Sequence, residues 1–314
     1  MTNPQIATSL SSRYASNGDV KLHYRTAGSG PLIVLVHGFP DFWFTWRHQL
    51  DRLAATHTVA ALDTRGYNRS DAPTGVAAYA MHHLVDDVAA VIQAEGRSSA
   101  TIIGHDWGGS IAWTFGATRP AMTDGLVIIN MPHPHRIGSA LRAGDNPQAD
   151  AMQYATDFRR EGSEDGLDAH ALAAFVARDD AERSMYVAAF ERSDFAAMMN
   201  YYRANSRTDD PWFDAGALIA ADVLQIHGLQ DPTLLASSLN DTWASVAGTL
   251  ELVTIPSAGH NAHHDTPERV THTIERWLAR PTAPEAGPLP VGAGAGCCSA
   301  AGDPAPRAEA GCGA

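Results

Sequence analysis

The chain predicts an α/β protein: a doubly wound, mostly parallel sheet with a helical cap inserted before the last strands. Three observations predict it. Short apolar runs recur at the spacing of buried strands, helical patterns lie between several of them, and one long stretch carries helix-like segments alone. Val20 to Arg25 alternates as an edge strand does, and Leu32 to Val36 is a continuous apolar run of the kind buried on both faces of a sheet. Thr58 to Leu62, Thr101 to Ile103, Leu126 to Ile129, Val223 to Ile226 and Leu250 to Ile255 follow in the same manner. Helical patterns fill Tyr79 to Glu95 and Ile111 to Arg119, the second stopped by Pro120. From Pro132 to about Gly216 the segments Asp168 to Arg178, Ala181 to Phe190 and Asp194 to Ala204 are helix-like, and no strand pattern occurs. The expected division is a first core part over residues 1–132, a cap over 133–215, a second core part over 216–280 and a tail over 281–314. Gly, Ala and Pro dominate that tail, so it cannot bury enough apolar surface to order itself and disorder is expected there.

Composition narrows the function. The 314 residues are 45% hydrophobic, enough for one large domain with an inserted subdomain. Lys plus Arg number 22 against 35 Asp plus Glu, and the net charge of -13 disfavours a nucleic acid or an anionic membrane as partner. No apolar run in the first 30 residues has the length of a signal peptide, and none anywhere reaches membrane-span length, so a cytoplasmic protein is expected. Cys297, Cys298 and Cys312 all fall in the tail, which leaves the folded part without a disulfide. His82-His83, His133-x-His135 and His263-His264 lack cysteines or carboxylates at ligand spacing. They are expected on the surface or in packing, with no metal and no cofactor.

Chemistry enters at Gly104-His105-Asp106-Trp107-Gly108-Gly109, after the apolar run Ala100 to Ile103 and before a helical pattern. This is the glycine-flanked elbow that holds a nucleophile above a parallel sheet, with a carboxylate where a serine is common. Asp106 alone would be an ordinary helix cap; inside this frame it is a nucleophile. At a reference pKa of about 3.9 it is ionised at neutral pH and needs no activating base. It can attack an sp3 carbon, and the resulting alkyl ester must then be hydrolysed. His37-Gly38-Phe39-Pro40 follows an earlier strand, so the Phe39 and Trp107 N–H groups would form an oxyanion hole for that hydrolysis. Asp231, before Pro232, and His260, after Gly259, follow the last two strands, in the order nucleophile, acid, histidine. Oriented by Asp231, His260 would deprotonate water, work that suits a histidine titrating near ~6.5. Trp43 and Trp46 are expected to pack near the His37 loop or to line the pocket.

Together with Asp63-Thr64-Arg65-Gly66-Tyr67, these motifs resemble the α/β-hydrolase superfamily, and within it the soluble and microbial epoxide hydrolases, from Val20 to Arg280. The resemblance implies the α/β-hydrolase fold, an epoxide substrate and water. It also implies two ring-activating tyrosines in the cap, at Tyr154 and Tyr202. A phenol with a pKa near ~10 stays protonated at neutral pH yet can donate to an opening alkoxide. Tyr201 adjoins Tyr202, and the sequence leaves open which of them faces the site. Asn68 stands where relatives usually carry glycine. A haloalkane dehalogenase would share the aspartate nucleophile, and a ligand-binding receptor on the same fold is a third reading. The resemblance also leaves a homodimer open.

Overall fold

The computed structural model describes residues 10–143, 147–205 and 218–280. Eight strands form one sheet: β1 Ser11–Asn17, β2 Val20–Ala27, β3 Leu32–Val36, β4 Thr58–Leu62, β5 Ala100–His105, β6 Thr123–Ile129, β7 Val223–Gly228 and β8 Leu250–Ile255. Their order is β1-β2-β4-β3-β5-β6-β7-β8. The pairs β1/β2 and β2/β4 are antiparallel, and the other neighbours run parallel.

The apolar runs are continuous because helices cover both faces. In β3, Leu32, Val34 and Val36 enter one core cluster while Ile33 and Leu35 enter the other. The edge differs from expectation. β2 is an inner strand, and the edge is β1, whose mostly exposed Ser-Ser-Arg-Tyr-Ala-Ser-Asn carries no apolar alternation. A two-residue turn at Gly18-Asp19 joins the pair, with Gly18 at φ 57, so hairpin pairing rather than burial makes β1 a strand.

Parallel register brings the carboxyl ends of the strands to one side of the sheet: Val36 pairs with Gly104, His105 with Ile129 and Gly228 with Ile255. β4 lies on one flank of β3 and β5 on the other, so the chain reverses direction across the sheet here. Open α/β sheets place their crevice at this switch point. The helix after β5 spans Trp107–Thr118, starting four residues before the periodic pattern suggests, because Gly108 and Gly109 hide its first turn from a hydrophobic reading.

Between β6 and β7 the described residues form helices and no strand: Pro134–Arg142, Pro147–Ala151, Gln153–Phe158, Ala169–Val176, Asp180–Phe190 and Phe195–Asn205. Asp168 and Asp179 cap two of them, their side chains accepting from the N–H groups of Ala171 and Glu182. His133 starts another: its Nδ1 accepts from the His135 N–H, ahead of Pro134 in the first helical position. Cap residues Ala155, Tyr186 and Tyr202 share one apolar cluster with β3 and β5. Among the described residues no helix is long and apolar enough to cross a membrane. The tail and its cysteines lie outside the described residues.

Candidate active site

Asp106 stands between β5 and its helix at φ 51, ψ -122, a conformation that L residues rarely hold. Its carboxylate makes no capping bond to the helix, so the turn presents the side chain instead of using it. Two glycines permit this bend. A Cβ on Gly104 would meet the Gly108 carbonyl oxygen at 2.1 Å, and one on Gly108 would meet that of Val36 at 1.9 Å. No other residue fits either place.

Three predicted residues converge. Asp106 Oδ1 accepts from the Phe39 N–H at 2.9 Å, and Asp106 Oδ2 lies 3.5 Å from His260 Nε2. On its far side His260 Nδ1 donates to Asp231 Oδ2 at 2.8 Å. Asp231 is ringed by donors: the Thr233 and Leu234 N–H groups and the Thr233 hydroxyl reach its Oδ1 at 2.9, 3.0 and 2.8 Å. Trp107 opens the helix, where first-turn N–H groups point back toward the elbow.

The electrostatics follow from this array. Burial alone would raise the Asp106 carboxyl, but the His260 hydrogen bond and charge and the Phe39 N–H outweigh it and hold the group below its ordinary value. Asp231 is likewise opposed by burial and held far below the carboxylate range by His260 and the loop N–H groups. His260 departs from the expected titration near neutrality. Burial would lower it, yet Asp106 and Asp231 on its two sides push it up to about 10. The resting imidazole is therefore a cation between two anions. Below it, His105 donates from Nε2 to the His260 carbonyl at 2.9 Å, and burial plus the His260 charge hold it down to about 4.

A small cavity opens over Asp106, lined by Trp107, Ser110, Met131, Ile137, Tyr154, Tyr202 and Leu234 among others. Both predicted cap tyrosines thus line the same cavity as Asp106. Tyr202 packs edge-on to Trp107 at 5.1 Å and to Phe39 at 5.8 Å, and its ring centroid is 6.2 Å from that of Tyr154. Burial raises both phenols well above their ordinary value, and the Asp106 charge raises them further. Tyr201 points elsewhere: its hydroxyl donates to the Arg65 carbonyl at 2.8 Å, and its ring packs between Tyr67 and Tyr79. The cavity tyrosine of the pair is Tyr202.

Sequence reasoning missed Asn130. It directly follows β6 at φ 47, and its amide donates to Asp231 Oδ2 at 2.8 Å and to the Gly259 carbonyl at 3.1 Å, tying the acid loop to the histidine loop. A polar residue directly after the buried run Leu126 to Ile129, on the crevice side of the sheet, was the available signal. Trp46 does not line the cavity; it is buried on the opposite face of the sheet against His263, 4.9 Å between ring centroids. Asn68 holds a left-handed backbone of the kind that favours glycine: at φ 49 it donates to Asp63 Oδ2 at 2.7 Å and accepts from Arg192 Nε at 3.0 Å, linking core to cap.

His263 and His264 are buried and, contrary to expectation, a carboxylate does stand beside them: the fold brings Asp41 within 4.8 Å of both. The Thr45 hydroxyl lies 2.8 and 2.7 Å from their two Nε2 atoms, and Asp41 accepts from the Phe42 N–H and the Tyr186 hydroxyl. Arg47 Nη1, 3.5 Å from His264 Nε2, opposes a further cation there. The group is built as a hydrogen-bonded joint.

A family model described as alpha/beta hydrolase fold matches residues 31–267. The chain belongs to the α/β hydrolase superfamily. An AB hydrolase superfamily protein of Bacillus subtilis, YfhM, is 32% identical over 287 residues, 85% of this chain and 97% of that one. Epoxide hydrolase 1 of Caenorhabditis elegans is 29% identical over 299 residues, covering 88% and 72%. A crystal structure of an epoxide hydrolase from Bacillus megaterium matches with a TM-score of 0.79 at 30% identity, over 85% of this chain and 100% of that chain. Another Bacillus megaterium epoxide hydrolase structure, 29% identical, holds its product, a naphthyloxy-propane-1,2-diol. Within the superfamily this α/β hydrolase belongs to the epoxide hydrolase family.

Proposed function

We propose that this protein hydrolyses an epoxide to a vicinal diol through an ester on Asp106. The observation that carries the reading is the cavity bounded by one carboxylate and two phenols, Asp106 against Tyr154 and Tyr202. Asp106 Oδ1 is held by the Phe39 N–H, which leaves Oδ2 to attack a ring carbon. The new C–O bond forms as the ring C–O bond breaks, and its electron pair passes to the ring oxygen, which Tyr154 and Tyr202 protonate or hydrogen-bond. The negative charge that raised the phenols thereby leaves Asp106, so they become better donors as the alkoxide needs them. The same transfer releases His260. Once Asp106 is a neutral ester, one of the two anions that kept the imidazole protonated is gone, its pKa falls, and its proton passes to the phenolate left by ring opening or to solvent. Neutral His260, oriented by Asp231, takes a proton from water; hydroxide adds to the Asp106 carbonyl carbon, and the Phe39 and Trp107 N–H groups receive the oxyanion. Collapse breaks the ester C–O bond, the leaving alkoxide takes back the proton that His260 drew from water, and the diol departs with the carboxylate restored. A bound halide would need no proton donor, so the facing phenols favour the epoxide over a haloalkane.

The direct test follows the oxygen atoms. In a single turnover in heavy-oxygen water with enzyme in excess, the diol is expected to carry ordinary oxygen from Asp106, and later turnovers should label that residue. Solvent oxygen in the first diol, with Asp106 never labelled, would replace the ester by direct water attack.

The raised His260 gives a pH expectation as well. Between about pH 6 and pH 9 the alkylation rate should be flat, because Asp106 is ionised and both phenols are protonated throughout. Ester hydrolysis should instead climb with pH as His260 loses its proton, with an apparent pKa below the resting value of about 10. Stopped-flow tryptophan fluorescence separates the steps; a flat hydrolysis limb would show that neutral His260 is not the base. The charged triad also stabilises the fold: the His260 share is complete below the unfolded pKa near ~6.5 and is lost as the pH rises through its folded value.

A further inference from the structure

Gln148 lies in the short cap helix Pro147–Ala151, immediately before the helix Gln153–Phe158 that carries Tyr154. It is only 3% exposed, and its amide reaches one core loop from both ends. Nε2 donates to the Thr233 carbonyl at 2.7 Å, while Oε1 accepts from the Leu235 N–H and the Ser238 hydroxyl, both at 2.9 Å. The same loop wraps Asp231, whose Oδ1 takes the Thr233 and Leu234 N–H groups. Along three consecutive residues the backbone is therefore bound alternately by the acid beneath His260 and by a cap side chain. Leu234, between the two attachments, lines the cavity with Met152 and Tyr154.

We infer that Gln148 is a positioning residue that sets the ring-opening donor and the water-activating pair in one register. It holds Tyr154 through the short cap helices and Asp231 through residues 233–235. The inference rests on the proposed ester mechanism. A buried amide suits this role because, being neutral, it leaves the Asp231 and His260 charges undisturbed. Its two ends also meet a carbonyl and two donors of the loop, of which the Ser238 hydroxyl is buried.

The test measures alkylation and ester hydrolysis separately in the full-length protein. Gln148→Met keeps the length and removes both hydrogen-bonding ends. It is expected to slow both steps roughly tenfold or more, since misplacements of about an ångström carry costs of that order, while KM changes little. Gln148→Glu has a readout that a merely structural role would not produce. Its introduced carboxyl is a donor to Thr233 only when protonated, so its alkylation rate relative to wild type should recover as the pH falls, whereas Gln148→Met should show no such recovery. A folded Gln148→Met with both rates unchanged, or a Gln148→Glu whose deficit does not vary with pH, would overturn the inference. Failure of the underlying mechanism is distinguishable, because the wild type itself would then form no Asp106 adduct.

Discussion

His260→Gln is expected to trap the protein as its own ester. Mixed with a terminal epoxide, it should gain the mass of one substrate, with peptide mapping placing the adduct on Asp106, and then release diol slower than wild type by roughly 10²- to 10⁴-fold. The asymmetry comes from the geometry. In the proposed mechanism alkylation uses Asp106 Oδ2 and the phenols, and His260 enters only when the ester carbonyl needs an activated water. Its Nε2 stands 3.5 Å from Oδ2, beside the nucleophile, with Asp231 behind it at 2.8 Å. Glutamine keeps a polar side chain next to Asp106 but has no titratable nitrogen. It also removes the cation that holds the Asp106 carboxyl low, so alkylation should slow modestly at the acid end of the profile while remaining intact near pH 8. Undiminished steady turnover by this variant would exclude His260 from the second step.

What the sequence made legible follows from how local each constraint is. Glycines at 104 and 108 announce a backbone that approaches another backbone, which only glycine tolerates, so the elbow could be located to the residue. The apolar strands were equally plain because two-sided burial leaves no polar position in β3 and few in β5. β1 escaped detection because pairing with β2, not burial, makes it a strand, and pairing has no compositional mark. Asn130 escaped for a related reason: its value lies in reaching Asp231, 101 residues onward, and a lone polar residue at a strand end does not say what it will meet. The His260 pKa is the sharpest case. A reference value describes an isolated imidazole, whereas this one sits between two carboxylates that the chain order separates widely and the sheet brings together. Tyr201 and Tyr202 differ by one step on a helix, and only the packing of that helix over Arg65 decides which hydroxyl turns to the core.

Replacing both cap phenols should produce the largest loss short of removing Asp106. Tyr154→Phe and Tyr202→Phe keep the aromatic packing with Phe158, Trp107 and Phe39 and delete only the hydroxyls. Each single variant is expected to slow alkylation by roughly 10² to 10³, the usual cost of one donor to a developing oxyanion. The double variant should fall further but by less than the product, because the two donors share one charge. Ester hydrolysis, measured after trapping, should change far less, since the proposed mechanism gives the oxyanion of that step to Phe39 and Trp107. The split distinguishes ring activation from general damage to the cavity. It also decides between the two chemistries that an aspartate nucleophile allows. A leaving halide needs no proton, so a protein built for haloalkanes would keep its alkylation rate on a bromoalkane after both hydroxyls were gone. Loss of epoxide opening together with negligible halide release from chloro- and bromoalkanes is the expected pair of results. Efficient halide release that survives the double substitution would transfer the site to dehalogenation.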